Sequence, residues 1–165
     1  MKKVLIFFIL LLILPTITNA QDSLKANLKY INFEINRVPL ISGGYFLQDG
    51  LALEAGIALA FDGESNSNGL GIKIGLDKYF SQAKLSPLAG GYVRFDINPN
   101  AFGATGWKGS RIIFGGQWGL NYMVFSNLAL AGTIGGELSL NSPKDDTNSS
   151  NLSSFTSGVK IRFFF

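Results

Sequence analysis

The chain has 165 residues, 20 of them glycine, with 14 basic and 11 acidic side chains and neither cysteine nor histidine. The missing cysteines argue against a lipid-anchored lipoprotein and a disulfide-stapled domain. Together with the missing histidines they remove the two commonest zinc ligands and the commonest general base. Glycine at this frequency disfavours helices, and the length suits a single domain.

In chain order, Lys2 and Lys3 open a segment whose apolar run, Val4 to Leu14, is too short to span a bilayer as a helix. Pro15 breaks the run, and Thr18-Asn19-Ala20 places a small residue before Gln21. This is the layout of a cleaved signal peptide over residues 1–20. The remaining part, 21–165, holds 12 basic residues against 11 acidic ones. It has no concentrated basic face, so nucleic acid is not an expected partner.

Period-two alternation divides 21–165 into eight segments, at about 24–35, 38–47, 51–61, 70–80, 86–97, 110–124, 128–140 and 154–165. A tilted membrane strand needs about 9–11 residues. Gln48-Asp49-Gly50, Ser81 to Leu85 and Ser126-Asn127 make short connections, while 62–69, 98–109 and 142–153 make longer ones rich in Asn, Ser, Gly and Asp. Short turns at one rim and long loops at the other fit a membrane barrel. The first hairpin departs from this, since only about Asn36-Arg37 separates its strands and Pro39 sits just inside the second.

The predicted fold is therefore all-β, an eight-stranded antiparallel up-and-down transmembrane β-barrel over 21–165. Aromatic residues mark the short-turn rim: Tyr45 and Phe46, Tyr79 and Phe80, Tyr122 and Phe125, then Phe163, Phe164 and Phe165. The first six are expected to form an interfacial girdle on the periplasmic side. The segment Tyr45 to Leu53 matches Tyr122 to Leu130 in its Tyr and its Leu-Ala-Leu, so the two hairpins are expected to be built alike.

Alternation also sorts the faces. One carries large apolar side chains, such as Leu53, Ile57, Ile72, Ile74, Val93, Phe95, Trp118 and Val159. The other carries glycine, alanine and charge. A soluble ligand-binding barrel would have an apolar interior and a polar exterior, so the small and charged face is assigned to the lumen. Its four acids, Glu54, Asp77, Asp96 and Glu137, match its four bases, Lys73, Arg94, Lys160 and Arg162. A lone buried charge costs several kcal/mol, so a paired network that plugs the lumen is expected. The alternative is a narrow channel for small or hydrophobic solutes, opening at the rim or through the wall, with charged rings along its path.

The motifs Gly44-Tyr45-Phe46-Leu47, Asp49 to Glu54, Lys78-Tyr79-Phe80, Gly119 to Phe125 and Gly158 to Phe165 resemble the small outer-membrane barrels of Gram-negative bacteria. These are of the OmpX and OmpA transmembrane-domain type. The resemblance implies an integral, non-enzymatic outer-membrane protein in contact with lipid and lipopolysaccharide. Phe165, with Phe163 and Ile161 at alternate positions, is similar to the signal read by the barrel-assembly machinery of such proteins. The comparison also implies that no peptidoglycan-binding domain follows.

No catalytic residue and no cofactor are assigned. Outer-membrane enzymes of this kind use histidine with Ser or Asp, and no base is present to activate a hydroxyl. Asp145-Asp146 reads as a solvated loop pair, and Gly69-x-Gly71-x-x-x-Gly75 lies in a strand with no following helix, unlike a phosphate loop. The long loops are the expected contact surface for an extracellular partner. Phe102, Trp107 and Lys108 are the candidate contacts, and Trp107 reads equally as an anchor at the far membrane interface.

Overall fold

The computed structural model describes residues 24–36, 39–62, 67–102, 109–143 and 149–165. The expected signal peptide, Trp107, Lys108 and Asp145-Asp146 lie outside them. Eight strands form in chain order: β1 (Lys29–Ile35), β2 (Leu40–Gln48), β3 (Leu51–Asp62), β4 (Ser67–Tyr79), β5 (Leu85–Ile97), β6 (Gly109–Phe125), β7 (Leu128–Pro143) and β8 (Ser149–Phe164). Every neighbour pairs antiparallel, and β8 returns to β1 to close the barrel. Closure leaves no free sheet edge running the length of the wall.

The strands hold the expected period. Ile57, Ile74, Trp118 and Phe155 point away from the lumen and are exposed, Trp118 by 62%. Glu54, Lys73, Asp77, Arg94, Asp96, Lys160 and Arg162 point inward and are buried. Glycine makes room inside this narrow tube. A Cβ on Gly44 would lie 1.9 Å from the Tyr30 ring, and one on Gly115 would lie 2.1 Å from that of Tyr92. Only a bare backbone lets an inward ring cross the lumen at these places.

The repeated hairpins do share a construction. The β2–β3 ladder shifts register between Phe46 and Gln48, and the β6–β7 ladder shifts between Met123 and Phe125, the corresponding residues. Each shift sits just before a short turn and adds a local bend. At the first turn Gly50 has φ 70°, and a Cβ there would meet the Tyr79 carbonyl oxygen at 2.7 Å, so the position requires glycine.

Four expectations need correction. The first strand starts at Lys29, not near residue 24, because Asn27 adopts φ 69° and turns the chain. Leu24 to Leu28 instead crosses the short-turn rim. Its backbone bonds hold it there: Asn27 N donates to Phe46 O (2.9 Å), Phe46 N to Leu28 O (2.9 Å), and Gly50 N to Leu24 O (3.0 Å). Second, the loop 142–153 is in part strand, since β7 and β8 stay paired out to Asn141 and Ser149. Ser and Asn side chains do not prevent a ladder when both partners continue it.

The third correction concerns the girdle. Tyr45, Phe80 and Phe125 face outward, with Tyr122 half-buried, but Phe46 and Tyr79 are buried in the lumen. Consecutive residues of a strand point to opposite faces, so each adjacent aromatic pair puts one ring on either side of the wall. Finally, Phe102 is not an exposed loop contact. It ends a short 3-10 helix (Pro99–Phe102) and packs against Leu40 and Ala58 inside the long-loop end. That helix lies close enough to Gly69 that a Cβ there would meet the Phe102 ring at 2.8 Å.

Candidate functional site: the lumen and its charges

The lumen divides into three levels. At the short-turn rim, Tyr30, Phe46, Tyr79, Leu88, Met123 and Phe164 form one apolar cluster with Leu24 of the crossing segment beneath it. The Phe46 ring meets those of Tyr30 (5.8 Å), Tyr79 (5.4 Å) and Phe164 (6.4 Å) at tilted or edge-on angles, the arrangement favoured by ring quadrupoles.

Above it lies a continuous charge network. The Arg162 guanidinium sits over both the Tyr30 and Tyr79 rings at 5.6 Å. It donates to Asp77 Oδ2 (3.1 Å) and Asn121 Oδ1 (3.1 Å). Gln117 donates to the other oxygen of Asp77 (2.7 Å). Lys73 Nζ donates to Glu34 Oε2 (2.7 Å), lies 3.7 Å from Glu54 Oε1, and stands 4.6 Å from the centre of the Tyr92 ring. Glu54 also accepts from the Tyr30 hydroxyl (3.2 Å) and from Asn32 Nδ2 (3.5 Å). Lys160 Nζ stands between Glu34 (3.8 Å) and Asp77 (3.7 Å), joining the two halves. Desolvation this complete is tolerable only because each of these carboxylates lies within 4 Å of at least one cation.

Toward the long-loop rim the arrangement changes. Asp96 is fully buried and shared by two guanidinium groups: Arg94 Nε is 3.0 Å from Oδ1 and Arg111 Nη2 is 2.6 Å from Oδ2. Glu137 accepts from the Tyr92 hydroxyl. Here the filling stops, and a cavity of about 530 Å³ is lined by Arg94, Arg111, Glu137, Ile113, Phe102, Ser139 and residues of β1 and β8.

All eight charges predicted from alternation thus face the lumen, and seven of them enter ion pairs among the described residues; Glu137 is held by a hydroxyl instead. Two charged members were missed, Glu34 and Arg111. Carrying the alternation outward from Phe33 and Ile35 would have put Glu34 inside, and one step before Ile112 would have done the same for Arg111. With them the described lumen holds five acids and five bases, so the balance survives. Among the described residues no group of three or more potential ligands is placed to hold a metal ion.

The closed barrel, its outward apolar belt and its charged interior can now be set beside solved structures. The chain is similar in fold to the N-terminal β-barrel domain of Pseudomonas aeruginosa OprF. The match has a TM-score of 0.51 at 17% sequence identity and covers 85% of this chain and 98% of that one. Identity this low establishes the architecture alone. No protein-family model matches the sequence, nor does any curated protein.

Proposed function

We propose that the chain is an integral, non-enzymatic outer-membrane barrel, exported by its first twenty residues, whose lumen is closed by the ion-pair network and whose long loops meet the exterior. The observation that carries this reading is the inverted distribution of side chains. Large apolar residues such as Ile57, Ile74, Trp118 and Phe155 are exposed around the wall, while Glu54, Lys160 and Arg162 are buried within. In water such a belt would be a large sticky surface, whereas in a bilayer it is the required one.

The plug is favoured over a through-channel because the short-turn rim is filled twice, by the aromatic cluster and by the crossing segment. A solute entering from the loop side meets Arg94, Arg111 and the Asp96 they share first, then Lys73, Lys160 and Arg162, with Phe46 behind them. Lipid and lipopolysaccharide are the proposed neighbours of the wall. Phe163 and Phe165 are exposed on the outer face of the last strand, with Ile161 half-buried on the same face, where assembly machinery could read them.

The test is expression of the full-length chain in a Gram-negative host and electrophoresis of its outer-membrane fraction with and without boiling. A faster band in the unboiled sample, with no conductance in planar bilayers, is the expected result. Recovery as a soluble periplasmic protein would overturn the membrane reading. A steady conductance would overturn the plug.

A further inference from the structure

The barrel wall is uneven. β8 stays paired with β7 as far as Ser149, but its rungs with β1, among the described residues, end where Ile35 meets Val159. On the other side of the first hairpin, β2 leaves β3 at Ile57, although β3 continues to Asp62. The β1–β2 hairpin therefore stands lower than both neighbours, and the wall has a notch at the β1–β8 seam.

The loop-side cavity reaches this notch. Its lining includes Thr156 and Gly158 from the inner face of β8, and also Phe155 and Val159 from the outer, exposed face. All five residues from Phe155 to Val159 line it, so the cavity runs along the β8 edge beyond the last rung with β1, beside the exposed Phe155 and Val159 side chains. On its inner side Arg94 and Arg111 share the single carboxylate of Asp96 through their Nε and Nη2 atoms, which leaves the Nη1 end of each guanidinium outside that pair. Glu137, also in the lining, is engaged by the Tyr92 hydroxyl. It lies four residues along β7 from Asn141, the residue paired with Arg111.

We propose that the notch is a lateral binding site for a bilayer amphiphile with a phosphate head group. The head lies against Arg94 and Arg111 and the hydrocarbon leaves through the seam along Phe155 and Val159. Guanidinium forks match phosphate oxygens geometrically, and the Nη1 ends not given to Asp96 supply the donors. The exposed apolar residues at the exit continue into the membrane, so the tail need not enter the charged lumen. This rests on the membrane-barrel reading above.

The test uses the full-length protein purified from outer membranes in a neutral detergent and titrated calorimetrically with dodecyl phosphate, inorganic phosphate and dodecanol. Dodecyl phosphate should saturate at one molecule per chain, and either inorganic phosphate or dodecanol should bind at least about tenfold more weakly. Arg111→Gln should weaken dodecyl phosphate by about tenfold or more. Thr156→Trp, which fills the cavity without removing a charge, should do the same. Equal binding of inorganic phosphate would remove the seam from the site, and unchanged binding by both variants would overturn the proposal. The heat-dependent gel shift of the same samples reports separately on the barrel, so its loss in the unsubstituted protein would indict the membrane reading instead.

Discussion

The two ends of the lumen are built from the same eight strands but solve different problems. The short-turn end is filled by rings, by Leu24 and by the Arg162 guanidinium held between two tyrosines. The long-loop end holds a cavity, one aromatic residue from a short 3-10 helix, and a carboxylate shared by two arginines. The difference follows from chain connectivity. Tight turns and the backbone-bonded Leu24 to Leu28 segment fix the positions of rings that must interlock, whereas at the other rim the short 3-10 helix packs on Leu40 and Ala58 and leaves the cavity beside it. Stability should concentrate at the first end and binding capacity at the second.

Substitutions can break that comparison. The largest effect is expected for Arg162→Ala, which strips Asp77 of its closest cation and empties the slot between Tyr30 and Tyr79. A loss of about 3–5 kcal/mol in unfolding by urea from lipid vesicles is expected, and a loss below about 1 kcal/mol would mean that water already reaches this level. Next comes the pair Phe46→Ala and Phe102→Ala. The first should cost about 3–5 kcal/mol, and the second at least about 1 kcal/mol less, because the short helix at the loop rim can settle into the space. Equal losses would erase the distinction between the ends.

Glu137→Gln sharpens the comparison further. Its partner is a hydroxyl, which can donate to an amide oxygen as well as to a carboxylate, so the same unfolding assay should register about 1 kcal/mol or less. A loss as large as that of Arg162→Ala would show that Glu137 carries a charge the network depends on.

The smallest effect belongs to Asp49 in the first short turn. Its carboxylate accepts from the Ala26 backbone N–H (2.8 Å) and from Gln82 (3.3 Å), and these bonds hold its pKa below the ordinary 3.8. A depressed folded-state pKa stabilises the protein above the unfolded value, and that contribution is lost as pH falls below about 4 through the folded one. Asp49→Asn should therefore lower stability at neutral pH slightly and flatten the acid limb of an unfolding profile by the same small amount.

The wall of the molecule was more legible than its ends. Strand positions and faces follow from period-two alternation, which a closed barrel with an apolar outer belt enforces along every strand, and so the inward charges could be named. Rings at the rim could not be assigned by composition. Tyr45 beside Phe46 and Tyr79 beside Phe80 look like two girdle pairs, yet each contributes one outward and one inward ring. Leu24 to Leu28 reads as strand because it alternates too, and only the left-handed turn at Asn27 diverts it across the rim. The notch was out of reach, since it depends on how far neighbouring strands outrun one another.

The last strand has one more consequence. Lys160 and Arg162 are the only lumen cations that β8 supplies among the described residues, and they answer Glu34 on β1 and Asp77 on β4. Counting the described residues, a chain with seven strands in place would line its half-formed interior with five acids and three bases. The surplus negative charge is cancelled only when β8 docks between β7 and β1 in the correct register. A slip of one residue would turn both cations onto the outer apolar face. The final strand thus serves as an electrostatic latch, rewarding the one closure that completes the cylinder and penalising its near misses.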